Sequence, residues 1–144
     1  MIIQTKLFGE CEIDQKEIIT FKNGLPGFEE NRAFVLIRSG NSGDDLMWLQ
    51  STKEPSLAFV VARPEIIKPG YSPKVRESEL ADIELKNSED ALVLVIAVVP
   101  EDIKKMTVNL RAPLIVNSKN RLGKQVVLED DSYSIKEPVF NPEK

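Results

Sequence analysis

Ala91-Leu-Val-Leu-Val-Ile-Ala-Val-Val99 is the stretch that decides the fold. Nine apolar residues in a row, five of them β-branched, suit a buried strand better than a helix. A strand with one wet face alternates polar and apolar side chains; this one does not. The run therefore predicts a central strand covered on both faces. It is also too short to span a bilayer, which takes about 20 apolar residues.

Shorter runs of the same kind lie on either side: Ile18–Phe21, Ala33–Ile37, Leu46–Leu49, Leu57–Ala62, Thr107–Leu110, Leu114–Val116 and Gln125–Leu128. Thr107-Val-Asn-Leu110 alternates and predicts a half-exposed strand. Breaker sequences separate the runs: Asn23-Gly24, Pro26-Gly27, Ser39-Gly-Asn-Ser-Gly43, Pro69-Gly70, Asn87-Ser88, Ala112-Pro113 and Leu122-Gly123. Short strands at this spacing predict a mainly β chain, a sandwich or a barrel. One short helix is expected near Glu79–Leu85, with Ser78 as its cap and Leu80, Ile83 and Ala81 facing the core. Pro100–Lys105 is expected as a connecting loop. Pro138 and Pro142 point to a tail leaving the sheet.

The 144 residues, 42% hydrophobic and 29% charged, fit one globular domain with a core of its own. Residues 1–140 are expected to form that domain and 141–144 a flexible tail. Cys11 is the sole cysteine, so no intramolecular disulfide forms, in keeping with a reducing, cytoplasmic setting. The N-terminus shows no signal-peptide core.

Histidine is absent. That removes the commonest general acid–base group and every Ser–His or Cys–His pairing within the chain. S-x-x-K, phosphate-loop and G-x-G-x-x-G patterns are missing as well. Cys11 sits among Glu10, Glu12 and Asp14, whose charge opposes a thiolate, and reads as structural. The net charge of −4 opposes direct nucleic-acid binding. Adjacent carboxylates occur at Asp44-Asp45, Glu89-Asp90, Glu101-Asp102 and Glu129-Asp130-Asp131. Along a strand such neighbours point to opposite faces, and beside turns they read as solvated charge. Gly24-Leu-Pro-Gly-Phe28 suits a type II turn with Gly27 at positive φ, tucking Phe28 into the core. Most of Trp48, Phe8, Phe28, Phe59 and Tyr71 are expected in the core.

Together the motifs resemble the flagellar assembly factor FliW family. Phe21-Lys-Asn-Gly-Leu-Pro-Gly-Phe-Glu29, Leu49-Gln-Ser51 and Pro55-Ser-Leu-Ala-Phe59 carry the resemblance in the first half. Thr107-Val-Asn-Leu-Arg-Ala-Pro-Leu-Ile-Val-Asn117, Arg121, Gln125-Val-Val-Leu128 and Tyr133 carry it in the second. It extends from near the N-terminus to about Phe140. The resemblance implies a compact antiparallel β-barrel-like domain with no enzymatic activity and no cofactor. It also implies a monomer that binds flagellin and, once freed, the translational repressor CsrA, a small RNA-binding dimer. Repression of flagellin mRNA is then relieved.

Within that frame Asn109, Asn117, Arg121 and Tyr133 are candidate partner contacts. Asn109 and Asn117 could equally satisfy nearby backbone groups. Glu129, Asp130 and Asp131 are candidates for an acidic face turned toward the partner's RNA. Two other readings are a carboxylate-dependent hydrolase, needing two carboxylates facing each other across a cleft, and a structural subunit pairing through a sheet edge.

Overall fold

Residues 91–98 form the strand on which both halves of the molecule are hung. In the computed structural model, which describes residues 1–38 and 46–140, the described strands are β1 (Ile2–Thr5), β2 (Gly9–Glu12), β3 (Ile19–Phe21), β4 (Ala33–Arg38), β5 (Leu46–Ser51), β6 (Ala58–Ala62), β7 (Ala91–Val98), β8 (Thr107–Val108), β9 (Leu114–Asn117), β10 (Leu122–Gln125) and β11 (Glu137–Pro138). Two short helices interrupt them, α1 (Pro64–Ile67) and α2 (Glu77–Asp82). The Ser39–Gly43 turn, Asp44-Asp45 and the 141–144 tail lie outside the described residues.

β3 to β6 form an antiparallel meander, and β7 adds to β6 through Val61–Ile96 and Ala62–Val95. On its other edge β7 pairs with β9, from Ala91–Asn117 to Leu94–Leu114. β9 continues to β10, and β10 returns to β3. The ring β3-β4-β5-β6-β7-β9-β10 is thereby closed into a seven-stranded barrel. Its one parallel seam is β10 against β3, at Leu122–Thr20 and Gly123–Phe21. The antiparallel expectation holds for every other pair in the ring. The exception arises because Asn117–Arg121 reverses the chain once more before it meets β3.

The barrel interior is filled by Ile19, Phe21, Phe34, Met47, Leu49, Val61, Leu94, Leu114 and Val116, joined by Leu25 from the turn after β3. Successive residues of a strand face opposite sides, so the neighbours of these residues look outward. Three covers bury them. The β1–β2 hairpin lies over Val35 with Ile3 and Ile13. Ile83 at the end of α2 joins Ile115, Val126 and Leu128, with Val93 packed alongside. Met106, Val108 and Leu110 pack on Ala62, Val95 and Ala97. The unbroken apolar run of β7 thus has apolar neighbours on both faces. Val98 and Val99 are the exception and stand exposed, because the pairing with β6 and the outer covers stop short of them.

Several local features differ from expectation. α2 starts at Glu77 with Arg76 at the cap position and no side-chain cap, so Ser78 falls inside the first turn. Ala81 faces solvent, while Ile83 is buried. α1 begins on Pro64, whose fixed φ suits a first helical position. The loop at 100–105 contains a 3₁₀ turn, Ile103–Lys105, in which the Asp102 carboxylate accepts the Lys104 N–H.

In the 24–28 turn Gly27 takes φ +85° and the Phe28 N–H donates to the Leu25 carbonyl at 2.8 Å. Phe28 itself is not tucked in: it is 41% exposed and lies edge-on against Phe59, while Leu25 fills the core. The fully buried aromatics are Phe21 and Phe34; Phe8, Trp48, Phe59 and Tyr71 are only half-buried. Phe59 leans on the barrel interior beside Phe34, Phe8 meets Trp48 edge-on, and Tyr71 packs on the Met106–Leu110 cluster, each with part of its ring left in solvent.

Candidate interaction surface

The Asn109–Asn117 block supplies two turn-locking amides. Asn109 Oδ1 accepts from the backbone N–H groups of Arg111 and Ala112 at 3.1 and 3.0 Å, an Asx-type turn that launches β9. Asn117, 5% exposed, donates through Nδ2 to the carbonyls of Ile83 and Glu84 at 3.0 and 3.1 Å. Its Oδ1 accepts the Lys119 N–H at 3.0 Å. One buried side chain therefore fastens the end of α2 to the end of β9.

Arg121, at φ +60°, donates from Nη2 to the Glu17 carbonyl at 2.9 Å and ties the β9–β10 turn to the approach to β3. Tyr133 packs edge-on against Tyr71, ring centres 4.6 Å apart, and its hydroxyl accepts the Ser72 N–H at 2.9 Å. Tyr71 in turn donates to the Leu110 carbonyl at 2.6 Å. Burial, with the neighbouring Tyr133, pushes the Tyr71 hydroxyl well above its ordinary pKa. The four candidate contacts thus sit in two places: Asn117 and Arg121 at one end of β9, Asn109 and Tyr133 near the other. The polar groups that hydrogen-bond are largely occupied within the chain.

The acidic trio divides as well. Glu129 forms an ion pair with Arg76, both side chains well exposed. Asp130 accepts the Ser132 N–H at 2.9 Å, and this backbone bond, helped by the Ser132 side chain, holds its carboxyl below the usual range. Glu129 and Asp130 line one groove. Asp131 faces another hollow, beside Arg111 and Tyr133.

The first of these grooves is the main concave feature around the candidate residues. It lies between segment 74–76 with Glu79 and the chain from Lys124 to Asp130, and a second hollow, lined by Lys22–Gly24, the end of α2 and Gly123, adjoins it at Lys124 and Gln125. β3 covers this side of β10 only at Leu122 and Gly123 before turning away, with the Gly24 N–H donating to the Phe21 carbonyl at 2.8 Å. Beyond Gln125, the N–H groups of Val126 and Leu128 donate to Pro113 and Arg111 on the β9 side, at 2.9 and 2.8 Å. The alternation turns the main-chain groups of Val127 away from β9, and its side chain is 71% exposed and lines the groove. Midway, the Lys124 ammonium is clamped between Glu79, at 3.2 Å, and Asp82. Its hydrogen bond to Asp82, followed by that to Glu79, raises its pKa against the opposing effect of burial.

Neither Lys124 nor Val127 stands out in the sequence as a contact residue. The unbroken Gln125–Leu128 run hides which of its two valines faces out. Lys124 meets Asp82 and Glu79 only through folding. Among the described residues no cluster of three or more acidic, cysteine or histidine side chains is placed to hold a metal ion. No described helix is long and apolar enough to cross a membrane.

Fold and site together define a small closed-barrel protein that presents a groove along a partly unpaired sheet edge. The family described as FliW protein matches residues 2–139. A flagellar assembly factor FliW of Alkaliphilus metalliredigens is 41% identical over 136 residues, covering 94% of this chain and 84% of that relative. One from Leptospira interrogans is 40% identical over 139 residues, covering 96% of this chain and 92% of the relative. A crystal structure of the flagellar assembly factor FliW superposes with a TM-score of 0.92 at 33% identity, over the whole of both chains. The chain belongs to the FliW family.

Proposed function

We propose that this protein is a cytoplasmic, non-enzymatic regulator of flagellar assembly. It binds flagellin as a chaperone. When secretion removes flagellin, the freed protein engages the translational repressor CsrA and relieves repression of flagellin mRNA. It acts as a monomer between partners, uses no cofactor and does not itself bind RNA. The observation that carries this reading is family membership over nearly the whole chain on the same barrel.

The acidic balance of the chain supports a route to RNA release. Consecutive and all exposed, Glu129, Asp130 and Asp131 make a short acidic ridge between the two hollows, with Glu129 partly neutralised by Arg76. On a bound repressor this ridge repels phosphates that pass within about 8 Å, the screening distance at physiological salt. Asn109, Asn117, Arg121 and Tyr133 shape the loops around the contact.

The test uses purified flagellin and CsrA with the full chain in size-exclusion and competition binding. The expected result is a defined complex with each partner and loss of the CsrA complex as flagellin is added. A triple variant, Glu129→Gln, Asp130→Asn and Asp131→Asn, is expected to keep CsrA binding and lose most RNA release. Absence of both complexes would remove the proposal. Undiminished RNA release by the triple variant would remove the electrostatic route alone.

A further inference from the structure

α2 and the segment before it cover the outer face of β7 and β9 incompletely, and a hollow of about 520 Å³ is left there. Its floor is the cross-strand pair Val93–Ile115 with Ala91, and its walls are Pro73, Val75, Leu80 and Leu85. Of these seven only Ile115 is buried; the others are half-buried and leave apolar surface to water.

The rim is Lys86, Asn87 and Ser88, all exposed. No carboxylate lines this hollow, whereas each of the hollows around the candidate contacts holds at least one. Lys86 forms no ion pair with any described residue. Glu77 and Glu84 line an adjoining hollow that shares Leu80, Leu85 and Lys86, yet neither pairs with that lysine. Asp90 is taken by Lys119 at 3.5 Å. An apolar recess thus carries one unneutralised cation at its mouth, in a chain of net charge −4.

Shape decides between occupants. Pockets for free small molecules cover most of the ligand's surface. Here the lining is too open for that, and a free amphiphile would leave much of its tail in water. An apolar side chain carried on a partner brings its own cover, the surrounding contacts that exclude water.

From this geometry we infer that the hollow is an anchor pocket for a polypeptide partner. One bulky apolar side chain of the partner fills it, and a carboxylate beside that side chain meets Lys86. Asn87 and Ser88 add an amide and a hydroxyl donor to the same rim. The assignment rests on the hollow alone, not on which partner carries the side chain.

The probes are three capped tripeptides, Glu-Phe-Glu, Lys-Phe-Lys and Glu-Ala-Glu, titrated into the ¹³C-methyl-labelled full chain and followed by NMR. Glu-Phe-Glu is expected to give saturable shifts at the methyls of Val75, Leu80, Leu85 and Val93. Lys-Phe-Lys should bind about two- to fivefold more weakly, the range of one exposed charge pair, and Glu-Ala-Glu should give no saturable shift. Lys86→Glu, a change at an exposed side chain, is expected to reverse the preference between the two charged peptides. Ala91→Phe fills the hollow from its floor and is expected to abolish binding; should that variant fail to fold, Lys86→Glu decides. No response to Glu-Phe-Glu, equal response to the two charged peptides, shifts centred elsewhere, or unchanged affinity in folded Ala91→Phe would overturn the assignment. So would methyl shifts that follow protein concentration without peptide, which would give the hollow to a second copy. Saturation by decanoate without a peptide response would overturn it too, in favour of a free amphiphile.

Discussion

Asn117 gives the sharpest stability prediction, because the cost of losing its amide can be counted group by group. Asn117→Ala removes the donor that serves the Ile83 and Glu84 carbonyls and the acceptor that serves the Lys119 N–H. The Ile83 carbonyl is partly protected, since Asn120 Nδ2 also donates to it at 3.2 Å. Glu84 and Lys119 lose the partner their backbone groups have. Three net hydrogen bonds of about 0.5–1.5 kcal/mol each put the loss at about 2–4 kcal/mol, because water can reach the exposed Glu84 and Lys119 that are left unpaired. Urea unfolding followed by circular dichroism should show the midpoint falling by about 1–2 M at ordinary m-values. Asn117→Asp keeps the shape but sets a carboxylate oxygen against two carbonyls, so its loss should be at least as large. Asn120→Ala should cost well under half as much. Hydrogen exchange should place the added opening of Asn117→Ala at Ile83–Leu85, the segment the amide holds. A midpoint within error of the parent, or an opening spread evenly over the barrel, would refute the clamp.

Two further outcomes are expected. At Gly24, φ +68°, an added Cβ would lie 2.5 Å from Glu29 Cα, whereas at Gly27, φ +85°, it meets open space. Gly24→Ala should therefore cost about 3 kcal/mol and Gly27→Ala about 1, compared by thermal melting; equal costs would deny the close approach. Stability should also fall at alkaline pH. Lys124 and Tyr71 both have folded pKa values above their ordinary ones, so their contributions are complete below the unfolded values, about 10, and vanish as pH rises through the folded ones. Denaturation between neutral and strongly alkaline pH should flatten in a Lys124→Met, Tyr71→Phe double variant, and an unchanged slope would discard the assignment.

The barrel was legible in the sequence to the extent that strands are written as apolar runs. Ala91–Val99, Ala33–Ile37 and Leu57–Ala62 announce themselves because they are buried on the barrel side and covered on the other. The β1–β2 hairpin does not: Ile3 and Ile13 are buried while Ile2 and Leu7 stand in solvent, so no run forms. The parallel seam was equally invisible, since it depends on where a turn a hundred residues downstream delivers β10. Asn109 and Asn117 stood out by sequence, but an amide that locks a turn and one that greets a partner have the same letter. The groove was hidden for a related reason. Burial separates Val126 from Val127, and only the pairing with Arg111 and Pro113 shows which main-chain groups stay free.

Ring closure has a consequence for how the chain is made. The meander β3–β6 can form as it leaves the ribosome, each strand meeting its predecessor. β3 must then keep its outer edge bare until Leu122 and Gly123 are synthesised, and β6 until β7 arrives. Contacts so distant along the chain slow folding and leave pairing edges open meanwhile. A ribosome paused before residue 91 therefore holds a nascent half-barrel with two unsealed flanks, and only the last third of the chain closes them.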